Sequence, residues 1–212
     1  MVPGARKPRD TAPAIQFLIG SLGEKHTFLI GSARWKAMTY GETAGTARGA
    51  AFGMLPVTNL MRDRIGYLAL PGHDGSAADD AAYVAVLRNA LRRFRAEGIC
   101  RYVIDLRGNG GGNMFPMQAG LASLLGKRPY GYWDVGAGFA PVAWLDPEKV
   151  PRMDGTIAGP YVAAPADQSR AVVAVLVDRR TASSGEATAI AFEGRPHTRF
   201  IGEPTAGFTP AI

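Results

Sequence analysis

A serine-containing turn near the end of the chain carries the residues best suited to nucleophilic chemistry. Ser183 and Ser184 follow the apolar run 172–177 and precede a short helical pattern. A hydroxyl at a strand-to-helix turn can point into a cleft, and the N–H groups that follow it can face the oxyanion formed by its attack. Together with Glu186 the same serines also fit an ordinary helix cap. The turn alone leaves nucleophile and cap equally open.

A glycine-rich turn, residues 105–113, lies between another buried strand and a helix. Four of its residues are glycine, among them Gly111 and Gly112. Glycine lets the backbone adopt positive φ and approach a ligand closely, and the N-terminus of the following helix offers N–H groups to negative charge. A dinucleotide site would need glycine at Asn113, and no lysine follows as in a P-loop. A nucleotide site therefore fits poorly. A tight turn that only glycine can form stays open, but four glycines in five positions favour a functional loop.

A serine nucleophile needs a base, and the chain has three histidines that could supply one. His197 follows a proline in a polar loop, and His73 lies in a Pro-Gly-His-Asp-Gly turn. His26 follows the end of a predicted helix and has apolar residues on both sides, which could hold it in a wall of the core. A histidine is also favoured after a helix for electrostatic reasons alone. Spacing does not decide among these interpretations.

Composition limits the classes of protein. With 212 residues, 47% hydrophobic and 20% charged, the chain fits one globular domain of ordinary size. The formal charge of +6 comes from scattered arginines without interleaved aromatic residues, so nucleic-acid binding is not predicted. The single cysteine, Cys100, excludes an internal disulfide and a cysteine-based zinc site.

Segments that would direct the chain to a membrane are not predicted. No run of 18 apolar residues occurs, so no transmembrane segment is expected, and the first ten residues lack the apolar region of a signal peptide. The compartment stays open between the cytoplasm and export with a signal absent from this sequence.

Apolar strands alternate with amphipathic helices through most of the chain. The predicted strands cover residues 65–70, 102–106, 172–177 and 198–202, and the predicted helices cover 15–22, 79–97, 114–125 and 183–192. This alternation predicts an α/β fold with a parallel or mixed sheet covered by helices. Residues 130–168 interrupt this alternation and are interpreted as a long excursion, an irregular segment between two elements of the sheet and helices, near a site.

Three segments together resemble the tail-specific, or C-terminal-processing, serine peptidase family. They are residues 22–27, residues 103–112, and residues 175–186 with their continuation 201–207. The resemblance implies a mixed sheet covered by helices, as in the Clp protease and crotonase group, with a small N-terminal helical and strand segment. We expect residues 1–54 to form that segment and residues 55–212 to form the peptidase core.

The branch of the family follows from two further features. The interval between His26 and Ile65 is too short for the peptide-binding PDZ module. No lysine follows Lys149, which disfavours the branch with a serine and lysine dyad. The chain therefore resembles most the branch related to the tricorn protease core.

The resemblance also implies roles for individual residues. Ser183 would be the nucleophile, with Ser184 as the fallback, and His26 would be the general base. The oxyanion hole would be formed by the N–H of Ser184 and by that of Gly111 or its neighbour Gly112. No metal or cofactor is implied. The implied substrate is a peptide or an unfolded protein, and assembly of several copies stays open.

The chain departs from this family at both ends. Members of the branch continue with further strands and an acid that orients the histidine, so we expect that acid beyond Ile212, with Glu203 as an internal substitute. Two other functions stay open. One is a peptide-binding remnant of the same fold without a complete triad. The other is a crotonase-like acyl-CoA enzyme, which the serine and histidine pairing and the lack of a basic phosphate pocket disfavour.

Overall fold

The computed structural model describes residues 6–21, 54–134, 138–142, 150–151, 157–158 and 161–208. The chain divides into two compact units, Met1–Arg48 and Gly49–Ile212. In the first unit the described part is a helical turn, Pro8–Thr11, that leads into helix α1, Ala12–Ser21. The Asp10 carboxylate accepts the backbone N–H groups of Arg6 and Lys7, which fixes the start of this helical segment.

A five-stranded mixed sheet forms the centre of the second unit. Its strands in chain order are β1 (Val57–Met61), β2 (Ile65–Ala69), β3 (Arg101–Asp105), β8 (Val172–Val177) and β9 (Thr198–Gly202). They lie side by side in the order β1-β2-β3-β8-β9, with β1 antiparallel to β2 and the other pairs parallel. The predicted mixed α/β fold is therefore confirmed.

Three helices accompany this sheet: α2 (Ala77–Ala96), α3 (Met114–Leu125) and α4 (Ser184–Ile190). In α2 the apolar positions Tyr83, Leu87, Leu91 and Phe94 share one face and are buried in the core. Burial of each such side chain contributes about 1.5–3 kcal/mol. The arginines at positions 92, 93 and 95 are exposed, as expected for a surface helix.

The excursion between α3 and β8 contains two small antiparallel pairs. Strand β4 (Gly131–Asp134) pairs with β5 (Phe139–Val142), and β6 (Val150–Pro151) pairs with β7 (Ile157–Ala158). These four short strands were not predicted from the sequence, because glycine, proline and tryptophan interrupt the region. Of the helices that the structure describes, none is long and apolar enough to cross a membrane.

Candidate active site

The two turns singled out in the sequence meet at one edge of the sheet. The glycine turn, residues 105–113, follows β3, and the serine turn, residues 178–186, follows β8. These strands are parallel neighbours, with Asp105 opposite Leu176, so their carboxyl ends lie together. This edge of an open α/β sheet is where ligand sites occur most often.

Hydrogen bonds join the two turns along their length. Ala182 N–H donates to the Asn109 carbonyl at 2.9 Å, and the Thr181 hydroxyl donates to the Leu106 carbonyl at 2.8 Å. The Ser184 hydroxyl donates to the Gly112 carbonyl. Because these bonds connect backbone to backbone or to a buried hydroxyl, the two turns are held as one unit.

Glycine is required where the turns approach each other most closely. A Cβ atom at Gly111 would lie 2.8 Å from the Ser183 Cβ and 3.0 Å from the Ser184 nitrogen. Gly111 and Gly112 both have φ of 104°, in a region that residues with side chains rarely adopt. Four of the predicted site residues, Ser183, Ser184, Gly111 and Gly112, are thus brought together.

The backbone of Ser183 is unlike that of an ordinary helix cap. It has φ of 51° and ψ of −121°, whereas the N-cap residues of α2 and α3, Ser76 and Asn113, have φ of −70° and −86°. Positive φ at a residue other than glycine costs free energy and is concentrated at functional sites. Arg64 and His197 also have positive φ, so a functional role at Ser183 is favoured by the combination of this strain with the close approach of Gly111.

Glu186 anchors the serine turn from inside. Its carboxylate is only 4% exposed and accepts the Ser183 N–H at 2.9 Å, as in the predicted glutamate half of a capping box. It also accepts the Thr205 hydroxyl at 2.6 Å and the N–H groups of Gly207 and Phe208 at 2.7 and 2.8 Å. One buried carboxylate thus ties Ser183 to the segment that follows β9.

Two backbone amides at the junction of the turns remain available to a ligand. The Gly111 N–H donates to the Asn109 side-chain oxygen at 2.9 Å. In the part of the chain that the structure describes, neither the Gly112 N–H nor the Ser184 N–H has a hydrogen-bond acceptor. Such amides beside a hydroxyl residue can stabilise a developing negative charge.

Asn109 is a supporting residue whose role the sequence did not reveal. It is fully buried, and its side-chain nitrogen donates to the Leu70 carbonyl at 3.0 Å while its side-chain oxygen holds Gly111. A Cβ at Gly185 would lie 2.5 Å from the Asn109 carbonyl oxygen. Asn109 therefore fixes the end of β2, the glycine turn and the start of α4 relative to one another.

Two aspartates at the strand ends stiffen the site from outside. Asp105 accepts hydrogen bonds from the Nε and Nη2 of the half-exposed Arg107 and from the Tyr67 hydroxyl at 2.7–2.9 Å. Burial alone would raise the pKa of Asp105, but these hydrogen bonds outweigh it and the pKa lies below its ordinary value. The pKa of Asp178 is lowered in the same way, because hydrogen bonds from the Gly108 N–H and from Arg180 outweigh the upward effect of burial.

The candidate base and acid of the mechanism have different outcomes. His26 lies outside the described residues, so its proposed role remains a prediction. Glu203 is exposed and forms a two-pronged ion pair with Arg179 at 2.7 and 3.1 Å. Of the other histidines, His197 lies in the turn before β9 and His73 is buried against Asp80.

A cavity of about 640 Å³ lies beyond the end of α4 near Tyr130 and contains none of the predicted site residues.

Comparisons with known proteins agree with this architecture. The nisin-resistance protein of Lactococcus lactis subsp. lactis is 28% identical over 208 residues, which cover 98% of this chain and 60% of that protein. A lipoprotein structure from Streptococcus agalactiae matches with a TM-score of 0.69 and 23% identity, covering 97% of this chain and 65% of that one. A candidate peptidase from Parabacteroides merdae matches with a TM-score of 0.53 and 16% identity, covering 96% and 64%.

The identity and coverage of these relatives limit what can be inferred from them about this chain. The chain spans about 60% of the length of the Lactococcus relative. At their identities, the two solved structures support the fold alone. The family comparison is more direct, because residues 64–209, well over half of the chain, match the model of Peptidase family S41. The resemblance found in the sequence is thereby confirmed, and the chain belongs to peptidase family S41.

Proposed function

We propose that this chain is a serine-type peptidase core that hydrolyses peptide bonds through a Ser183 acyl-enzyme. The observation that carries the proposal is the strained backbone of Ser183 next to two amides, of Gly112 and Ser184, that lack acceptors in the described part of the chain. Membership of a peptidase family supports peptides or unfolded proteins as the substrate class.

In the proposed mechanism the Ser183 Oγ attacks the scissile carbonyl carbon while His26 takes the hydroxyl proton. The carbonyl oxygen becomes an oxyanion that accepts the N–H groups of Ser184 and Gly112. Gly112 is preferred to Gly111 for this role, because the Gly111 N–H already donates to Asn109. Each such donor contributes roughly 100- to 1,000-fold to the rate.

The tetrahedral intermediate then collapses, and the C–N bond breaks. The protonated His26 gives its proton to the leaving amine, and the acyl group stays on the Ser183 oxygen. A water molecule, deprotonated by His26, attacks the ester and releases the new carboxyl terminus. Ser183 recovers its proton from His26 at the end of the cycle.

The decisive experiment compares Ser183→Ala with a matched serine substitution. Ser76→Ala removes an ordinary N-cap serine from α2 and should cost about 1 kcal/mol of stability without lowering peptidase activity. Ser183→Ala should abolish both cleavage of unstructured peptides and labelling by a fluorophosphonate. Nisin is included as a substrate, because the name of the Lactococcus relative connects that protein with nisin.

Two results would contradict the proposal. Labelling that persists in the Ser183→Ala chain would assign the nucleophile elsewhere. Peptide affinity without labelling of the parent chain would favour the peptide-binding remnant instead. His26→Gln should lower cleavage by several orders of magnitude, as loss of a triad member does.

A further inference from the structure

A histidine in the loop between β2 and α2 and an aspartate in the first turn of α2 form a buried pair that the proposed mechanism does not use. The His73 Nε2 lies 2.7 Å from the Asp80 Oδ1, and each residue is only 1% exposed. The short distance makes this a direct hydrogen bond between the imidazole ring and the carboxyl group. The His73 ring also packs against Tyr83, with ring centres 4.5 Å apart. The side chain is therefore fixed from two directions by α2.

The backbone of His73 pairs directly with the glycine turn. Its N–H donates to the Gly111 carbonyl at 3.0 Å, and its carbonyl accepts the Asn113 N–H at 2.5 Å. Together these bonds form one parallel bridge opposite Gly112. The bridge uses groups on either side of Gly112, so the N–H and the carbonyl of Gly112 itself take no part in it.

This arrangement holds Gly112 from two sides. His73 restrains its neighbours along the chain, while the Ser184 hydroxyl donates to its carbonyl. A turn with adjacent glycines has many accessible conformations, because glycine is free to adopt both signs of φ. External restraints must therefore select one conformation of the turn.

We propose that His73 and Asp80 are positioning residues for the oxyanion hole, which hold the glycine turn so that the Gly112 N–H is fixed beside Ser183. This inference rests on the proposed function. His73 is not assigned as the general base, because both ring nitrogens are buried: Nε2 is bonded to Asp80, and Nδ1 is shielded from solvent among the described residues. Removing one partner of a buried pair is strongly destabilising, so urea unfolding is measured for each variant and the effect on geometry is taken from chains that remain folded.

The pair is tested with three substitutions and a matched control. His73→Gln and Asp80→Leu should lower kcat by roughly 10- to 100-fold with KM changed less than about twofold, which is less than the loss of a whole oxyanion donor. Asp80→Asn should retain most of the parental activity, since the asparagine side-chain oxygen can still accept a hydrogen bond from the His73 Nε2. The control, Asp74→Asn, removes an exposed carboxylate next to His73 and should leave kcat unchanged.

Amide hydrogen exchange provides a readout that does not depend on catalysis. The Asn113 N–H should exchange at least about tenfold faster in Asp80→Leu than in the parent, because its acceptor is the His73 carbonyl, and it should be unchanged in Asp74→Asn. If Asp80→Leu does not fold, His73→Gln is compared with Asp80→Asn in the same way. Parental kcat or parental Asn113 exchange in a folded His73→Gln chain would overturn the inference.

Failure of the proposed function gives a different pattern. If the parent chain neither cleaves peptides nor reacts with a fluorophosphonate, the peptidase assignment fails while the exchange measurement still decides whether the pair holds the glycine turn. If the parent is active and Asp80→Leu loses kcat and Asn113 protection together, the positioning role is supported. A loss in kcat/KM that comes entirely from a higher KM would instead assign the pair to substrate binding and contradict the positioning role.

Discussion

Replacing Gly111 with alanine should separate the two turns that form the candidate active site. The new Cβ would lie 2.8 Å from the Ser183 Cβ and 3.0 Å from both the Ala182 carbonyl oxygen and the Ser184 nitrogen. Two of these three neighbours are backbone atoms, which cannot rotate away as a flexible side chain could. The serine turn or the glycine turn must therefore move.

The size of the effect follows from two costs. A residue with a side chain at φ of 104° is strained by about 1–3 kcal/mol, and the overpacked contact adds about 1–3 kcal/mol. Movement of Ser183 or Ser184 by up to about 1 Å misaligns the nucleophile with the oxyanion donors, and such a displacement can lower a rate about 100-fold. We expect kcat/KM to fall at least about 100-fold, equivalent to about 3 kcal/mol in the barrier.

A control glycine that also has positive φ, but no close neighbour, tests the effect of the contact. Gly194 has φ of 65°, and no atom lies within 4 Å of a Cβ built on it. Gly194→Ala should therefore cost about 1–2 kcal/mol of stability and leave peptidase activity unchanged. Both variants are measured by urea unfolding, peptide cleavage and fluorophosphonate labelling. A folded Gly111→Ala chain with parental kcat/KM would refute the assignment of this contact to the active site.

Three further substitutions test the surroundings of the site. Glu186→Gln replaces an oxygen that accepts two donors with an NH₂ group, so urea unfolding should show a loss of about 2–5 kcal/mol, and labelling of Ser183 should slow. Ser184→Ala keeps the backbone N–H but removes the bond to Gly112, and kcat should fall by roughly tenfold with little change in KM. Asp105→Asn removes a carboxylate with a lowered pKa, so the parent should be more stable by about 1.5–3 kcal/mol near neutral pH. That difference in unfolding free energy should disappear as the pH falls from about 3.9, the usual unfolded value, through the lowered folded-state pKa.

Regular elements with a strong apolar pattern could be predicted from the sequence. Helix α3 and strand β8 have the predicted bounds, 114–125 and 172–177, because their apolar runs end at Gly126 and Asp178. The short strand β9 also has its predicted bounds, 198–202. The bounds of strand β1 and of the paired strands β4 and β5 could not be predicted. Four of the five residues of β1 are exposed, and all three strands form through pairing with a neighbour that the local sequence does not specify.

The contacts that support the site were hidden from the sequence for a related reason. His73 and Asp80 are seven residues apart in a loop and a helix, and no periodic pattern brings them together. Asn109 was visible only as one residue of a glycine-rich turn, although its side chain connects Leu70 to Gly111. Bonds between distant backbone groups depend on how the strands are ordered in the sheet, which local spacing cannot reveal.

The choice between nucleophile and cap for Ser183 shows why the backbone carries information that residue types do not. The motif Ser-Ser-Gly-Glu fits both interpretations, and the Glu186 carboxylate does accept the Ser183 N–H as a capping glutamate would. An ordinary N-cap needs only the extended conformation seen at Ser76 and Asn113, which carries no strain. Capping therefore does not explain φ of 51° at Ser183. Under the proposed function, a turn that holds a hydroxyl residue against Gly111 accounts for this φ, and among the described residues the Ser184 N–H has no acceptor. The bonds from Ser183, Thr205 and Gly207 to Glu186 offset the strain.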